Sequence, residues 1–185
     1  MLILASGSPR RAKLLKDAGL TFKVIKSDVE EVINHDLLPE EIVVDLALQK
    51  AKSVFLKHPD DTVIAANTIV VFNKQILGKP KDEEEAYQML SLLSNETHCV
   101  YTGVAVLKDK IERCFYTKSE VTMKQLSDLE IKQYIATKEP MDKAGAYGIQ
   151  GEGGQLVDHF SGDFFTIVGL PLKEVLNVLK DIQAL

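Results

Sequence analysis

Residues 2–5, Leu-Ile-Leu-Ala, form an uninterrupted apolar run of the kind that makes a strand buried on both faces. Ser8-Pro9 then supplies an N-cap residue and a first-turn proline, which predicts a helix to about Gly19. Residues 22–26 alternate as a second strand. Pro39 with Glu40-Glu41 opens a longer helix through Leu46, Ala47 and Lys50 to about Leu56. Residues 62–66 predict a short apolar strand ending before Asn67. Residues 68–72 and 75–77, separated by Asn73-Lys74, predict a hairpin.

Asp82 and Glu85 carry the spacing of a capping box before a helix with Ala86, Met89, Leu90 and Leu93 on one face. Residues 100–107 and 111–123 read as a long antiparallel pair turned at Asp109-Lys110. Ser127 and Glu130 repeat the capping-box spacing before a helix ending near Thr137. Residues 155–160 and 166–168 read as strands, and Pro171 opens a terminal helix carrying Val175, Leu176, Val178 and Leu179. The pattern is an α/β fold with prominent hairpins. No repeat or Pro/Gly/Ser-rich linker divides it, so a single domain over residues 1–185, with two lobes at most, is expected.

Composition narrows the function classes. The chain has 185 residues, 45% hydrophobic and 26% charged, with a formal net charge of −5. That balance describes an ordinary globular protein and disfavours a broad basic surface for nucleic acid. Cys99 and Cys114 lack the spacing of a disulfide framework or a zinc site. His35, His58, His98 and His159 show no paired metal-ligand spacing. No apolar run is long enough to span a bilayer, and the first five residues precede their basic pair, the reverse of a signal peptide. The expectation is a cytoplasmic protein with no membrane or nucleic-acid partner.

Several segments could carry chemistry. Ser6-Gly7-Ser8-Pro9-Arg10-Arg11 passes from strand to helix, so hydroxyls, backbone N–H groups and two guanidinium groups can face one anion. The same segment also reads as a plain helix cap with solvated arginines, and it lacks the Walker A spacing. Asn67-Thr68 follows an apolar run; an asparagine there can hydrogen-bond or offer a neutral oxygen, but it has no useful proton affinity. Lys79, between Gly78 and Pro80, suits a fixed charge aimed at phosphate, or a solvated loop. Lys50 lies beside Ala47 and Ala51 on a small-residue face and points either into a cleft or to solvent. Glu30-Glu31 is a solvated acidic pair or a source of a metal-binding carboxylate. Residues 142–151, Asp-Lys-Ala-Gly-Ala-Tyr-Gly-Ile-Gln-Gly, combine a charged pair, a glycine loop and an amide able to read a base edge.

Taken together, residues 4–11, Thr68-Ile69-Val70, Leu77-Gly78-Lys79-Pro80, residues 142–151 and Gly169-Leu170-Pro171 resemble the Maf family of nucleoside triphosphate pyrophosphatases, nearly end to end. The resemblance implies an inosine triphosphatase-like α/β fold, with an elongated mixed sheet and two lobes around a nucleotide cleft. It also implies hydrolysis of a nucleoside triphosphate to monophosphate and pyrophosphate with Mg²⁺ or Mn²⁺. Arg10, Thr68 and Gln150 resemble the subgroup acting on dTTP and UTP. By the same resemblance Ser8, Arg10, Arg11, Lys50 and Lys79 surround the triphosphate, Glu31 holds metal or orients water, and Gln150 selects a pyrimidine. A homodimer and a role in removing noncanonical nucleotides or restraining septum formation are implied as well.

One departure stands out. The family places an aspartate, proton acceptor and metal ligand, immediately before the Thr-[Ile/Val]-Val segment, and this chain has Asn67. Loss of a general base costs roughly 10²- to 10⁴-fold. Three readings stay open at this level: a substitution that traps bound nucleotide, a non-catalytic nucleotide-binding regulator, or an enzyme in which Glu31 supports weakened turnover.

Overall fold

The computed structural model describes residues 1–185. In chain order the elements are β1 (Leu2–Leu4), α1 (Pro9–Asp17), β2 (Lys23–Val24), α2 (Pro39–Phe55), β3 (Thr62–Phe72), β4 (Gln75–Leu77), α3 (Glu83–Leu93), β5 (Thr97–Lys108), β6 (Ile111–Met123) and α4 (Asp128–Ala136). Three short 3₁₀ turns follow, at Glu139–Asp142, Ala144–Ala146 and Gly151–Leu156, and then β7 (Val157–Ser161), α5 (Phe164–Val168) and α6 (Leu172–Asp181). The strands form a seven-stranded sheet in the order β2-β1-β3-β5-β6-β7, with β4 paired to β3. β1 runs parallel to β2 and β3, whereas β3–β4 and β6–β7 are antiparallel, so the sheet is mixed as expected.

Most helix starts lie where local chemistry puts them. The Asp82 side chain accepts from Glu85 N at 2.8 Å, and Ser127 and Glu130 exchange a full capping box at α4. At α3 the box is incomplete, because the Glu85 carboxylate takes Lys81 N instead. Ser8 sits at the N-cap of α1, but its side chain makes no cap hydrogen bond.

Two expectations are corrected. Residues 62–72 form one strand, so Asn67 lies in its middle and not at a strand end. Pairing decides this: β1 holds the first part of β3 through Leu4↔Ile64 and β4 holds the last through Val70↔Leu77, which overrides the turn preference of asparagine. Residues 166–168 are helical, not a strand. The Asp163 carboxylate accepts from Thr166 N at 2.8 Å and from Thr166 Oγ1 at 3.1 Å, and so starts the single turn of α5. The second strand is also short, only Lys23–Val24.

The chain divides into two compact units: Met1–Asn67, Thr102–Thr117 and Gly169–Leu185 in the first, Thr68–Tyr101 and Lys118–Val168 in the second. The first packs α2 on the sheet through Ala47, Ala51, Val54, Ala65 and Ala105. Its closeness is enforced at Gly103, where a Cβ would stand 2.3 Å from the Val43 carbonyl. The second gathers Leu90, Leu93, Val121, Met123, Ile131 and Tyr147 into its own core. No helix is long and apolar enough to cross a membrane.

Candidate functional site

The close approach of α2 to the sheet brings Lys50 to β3. Its Nζ donates to Asn67 Oδ1 at 2.7 Å and pairs with Glu31 Oε2 at 3.0 Å. The Lys50 side chain is 15% exposed and that of Glu31 41%, so the pair is sheltered at its ammonium end and open to solvent at its carboxylate. Asn67 is buried. Formally the trio is neutral: one ammonium, one carboxylate and one amide.

Glu31 reaches this position from an irregular segment because that segment is fastened along α2. Gln49 accepts from Val32 N at 3.0 Å and donates to Val32 O at 2.9 Å, a two-bond clip on the residue after Glu31. Further along, Ser27 bonds Ser53 at 2.8 Å and Asp28 pairs with Lys57 at 2.8 Å. Glu31 is recognisable in the sequence as a candidate carboxylate, whereas Gln49 is not, since a single helix-surface amide carries no recognisable pattern.

The segment between β1 and α1 is organised by Ser6. Its Oγ accepts from Ser8 N at 3.2 Å, a serine turn closed two residues on, and from Arg11 Nη1 at 3.1 Å. Arg11 also donates from Nη1 to Ala66 O at 2.7 Å and from Nε to Gly169 O at 2.7 Å. It therefore ties the start of α1 to the residue before Asn67 and to the chain leading into α6. Burial first, and the Arg10 charge second, push the Arg11 guanidinium down to about 10, with Glu31 acting in the opposite direction. At neutral pH it keeps its charge.

Thr68, Lys79 and Gln150 belong to the second unit. Thr68 is the next residue of β3. Lys79 is exposed in the loop after β4, where the preceding Gly78 O accepts from Gly145 N at 3.0 Å. Gly145, at φ +70°, takes the left-handed backbone and lies against Val70, so a side chain there would have to displace it. Gln150 is exposed in the glycine-rich segment beyond.

Nowhere do three or more His, Cys, Asp or Glu side chains converge as a preformed metal cluster. Glu31 and Asn67 nevertheless offer a carboxylate and an amide oxygen onto one cationic atom, Lys50 Nζ. Both are hard oxygen donors, the kind a magnesium ion combines with substrate phosphates. The two oxygens fit such an ion in chemical type.

Comparison with known proteins decides the family. The model for Maf-like proteins matches residues 1–182. The chain belongs to the Maf family. A Bacillus cytotoxicus protein named dTTP/UTP pyrophosphatase is 50% identical over 182 residues, covering 98% of this chain and 95% of that protein. A Bacillus cereus relative with the same name is 51% identical, covering 97% and 94%. Among solved structures, the Staphylococcus aureus Ham1 protein is similar at 16% identity over 84% of this chain and 79% of that one, with a TM-score of 0.45.

Proposed function

We propose that this protein is a nucleoside triphosphate pyrophosphatase acting on dTTP, UTP or modified pyrimidine triphosphates, with a hydrolytic step slowed by Asn67. Support for the activity comes from the names of relatives about half identical over nearly the whole chain. The convergence of Glu31, Lys50 and Asn67 is the observation that carries the mechanism.

The reaction adds water to the α-phosphorus; the Pα–O–Pβ bond breaks, pyrophosphate leaves, and one proton of the water must be accepted. Ser8, Arg10, Arg11, Lys50 and Lys79 are the residues proposed to hold the triphosphate, their charges stabilising the negative charge of the transition state. Asn67 cannot take the proton, because its amide has no basic lone pair at neutral pH. Glu31 is the carboxylate left to take it, while Asn67 keeps Lys50 oriented. Glu31 and Asn67 would hold Mg²⁺ or Mn²⁺, which when bound neutralises phosphate charge. Thr68 and Gln150 are assigned to nucleotide binding, Gln150 as the group selecting a pyrimidine.

A second reading has one observation in its favour. With an amide at position 67 the site keeps every positive group and loses its most direct proton acceptor, as a non-catalytic nucleotide-binding regulator would. Incubation with a panel of triphosphates and Mg²⁺ or Mn²⁺ separates the two. Pyrophosphate and monophosphate appear from dTTP and UTP if the enzyme reading holds; tight binding without any product supports the regulator, and neither removes both.

A further inference from the structure

The glycine-rich segment around Gln150 is closed on itself. A Cβ on Gly153 would stand 2.3 Å from Gly148 O, and one on Gly154 would stand 2.5 Å from Ile149 O. Residues 148–154 therefore form an arch whose two feet touch backbone to backbone, with exposed Gln150 near its tip. Only glycine allows feet this close.

Both feet rest on one pair of side chains. Gly148 N donates to Tyr134 Oη at 3.1 Å; Glu152 N and Gly153 N donate to the Glu139 carboxylate, each at 3.1 Å. Tyr134 Oη in turn donates to Glu139 Oε1 at 3.0 Å, which closes the ring. The pair is itself well supported. Tyr134 is buried in the core of the second unit, and burial with the Glu139 charge raises its phenol well above the usual range, so it remains a neutral donor. Lys143 braces the same corner by donating to Glu139 O at 2.7 Å while its stem lies against Gly148.

We infer that Glu139 and Tyr134 are positioning residues for base selection: they fix the arch, and the arch fixes the direction of the Gln150 amide toward the edge of the nucleotide base. This rests on the reading of Gln150 as the pyrimidine-selecting group. An ionised carboxylate suits the task because it accepts from two consecutive N–H groups at once with charge-assisted strength. Glutamine in its place presents an NH₂ to one of those donors, and phenylalanine at 134 removes the acceptor for Gly148 N while keeping the packed ring.

The test compares the full chain with Glu139→Gln, Tyr134→Phe and Gln150→Ala by calorimetric binding of dTTP, dATP and inorganic tripolyphosphate, a probe with no base. Binding is the readout so that slow hydrolysis does not limit it. Hydrogen exchange over residues 148–156 is followed alongside. In both positioning variants the expected result is a fall of about tenfold in the preference for dTTP over dATP, unchanged tripolyphosphate affinity and faster exchange in the arch. Folded variants with unaltered preference overturn the inference, and so does an equal loss for all three ligands, which marks a purely structural role. If Gln150→Ala leaves the preference intact, the Gln150 reading itself fails and the inference with it. If only Gln150→Ala changes it, that reading stands and the inference alone falls.

Discussion

Lys50 Nζ donates to Asn67 Oδ1 across 2.7 Å, from the middle of α2 to the middle of β3. Asn67 ends the first of the three segments that make up the first unit, at the point where β3 leaves it. The bond settles what Asn67 does in the resting protein: its oxygen is an acceptor for an ammonium that also faces Glu31. An amide can accept this bond, though less strongly than a carboxylate would, and it takes no proton from water.

Replacing Lys50 by methionine keeps an unbranched side chain that stops one atom short of Nζ and removes the donor. Buried Asn67 Oδ1 then loses this partner, which costs about 1–3 kcal/mol, and Glu31 loses its counter-ion. Thermal denaturation is expected to show a lower midpoint, and calorimetry weaker nucleotide binding. An unchanged midpoint would mean that the contact contributes nothing to the fold.

Gln49→Leu keeps the helix and abolishes the clip on Val32. Residues 28–36 should then exchange amide hydrogens faster, and turnover should drop severalfold through loss of Glu31 placement, with little change in melting temperature. The drop is expected in kcat rather than KM, since Gln49 touches no proposed phosphate ligand. A selective rise in KM would assign the segment to binding instead.

His98 makes stability depend on pH. It is 1% exposed, bonds Tyr147 Oη through Nε2 at 2.6 Å, and leaves Nδ1 without a partner. Burial lowers its pKa from 6.5 to about 4. Between these values the unfolded chain binds the proton and the folded chain does not, so this contribution is complete above about pH 6.5 and is lost as pH falls toward 4. The loss amounts to about 3 kcal/mol at most. Urea midpoints at about pH 7 and about pH 4.5 should differ less in His98→Gln than in the unaltered chain. Equal differences in both would sink the assignment to His98.

Helix starts were legible because their causes are local: Pro9, Pro39, Asp82, Ser127 and Pro171 act within one turn of themselves. Continuity of β3 through Asn67 was not, since it depends on partners on either side of that residue. Neither was α5, which needs the Asp163 carboxylate to begin its turn. In the site, residue types such as Arg11, Lys50 and Glu31 could be picked out by their chemistry, but the residues that place them could not. Gly103 reads as an ordinary strand glycine until α2 lies on it, and Glu139 as one more surface acid until residues 152 and 153 turn back to it.

The most direct test of the account is pyrophosphate release from dTTP and UTP by this chain beside Asn67→Asp, at matched metal and pH. Weak release is expected from the chain as it stands, with a gain of roughly 10²- to 10⁴-fold when position 67 carries a carboxylate. Equal rates in the two proteins would contradict it by showing that a carboxylate at position 67 takes no part in accepting the proton, and silence in both would contradict the assignment of hydrolysis altogether.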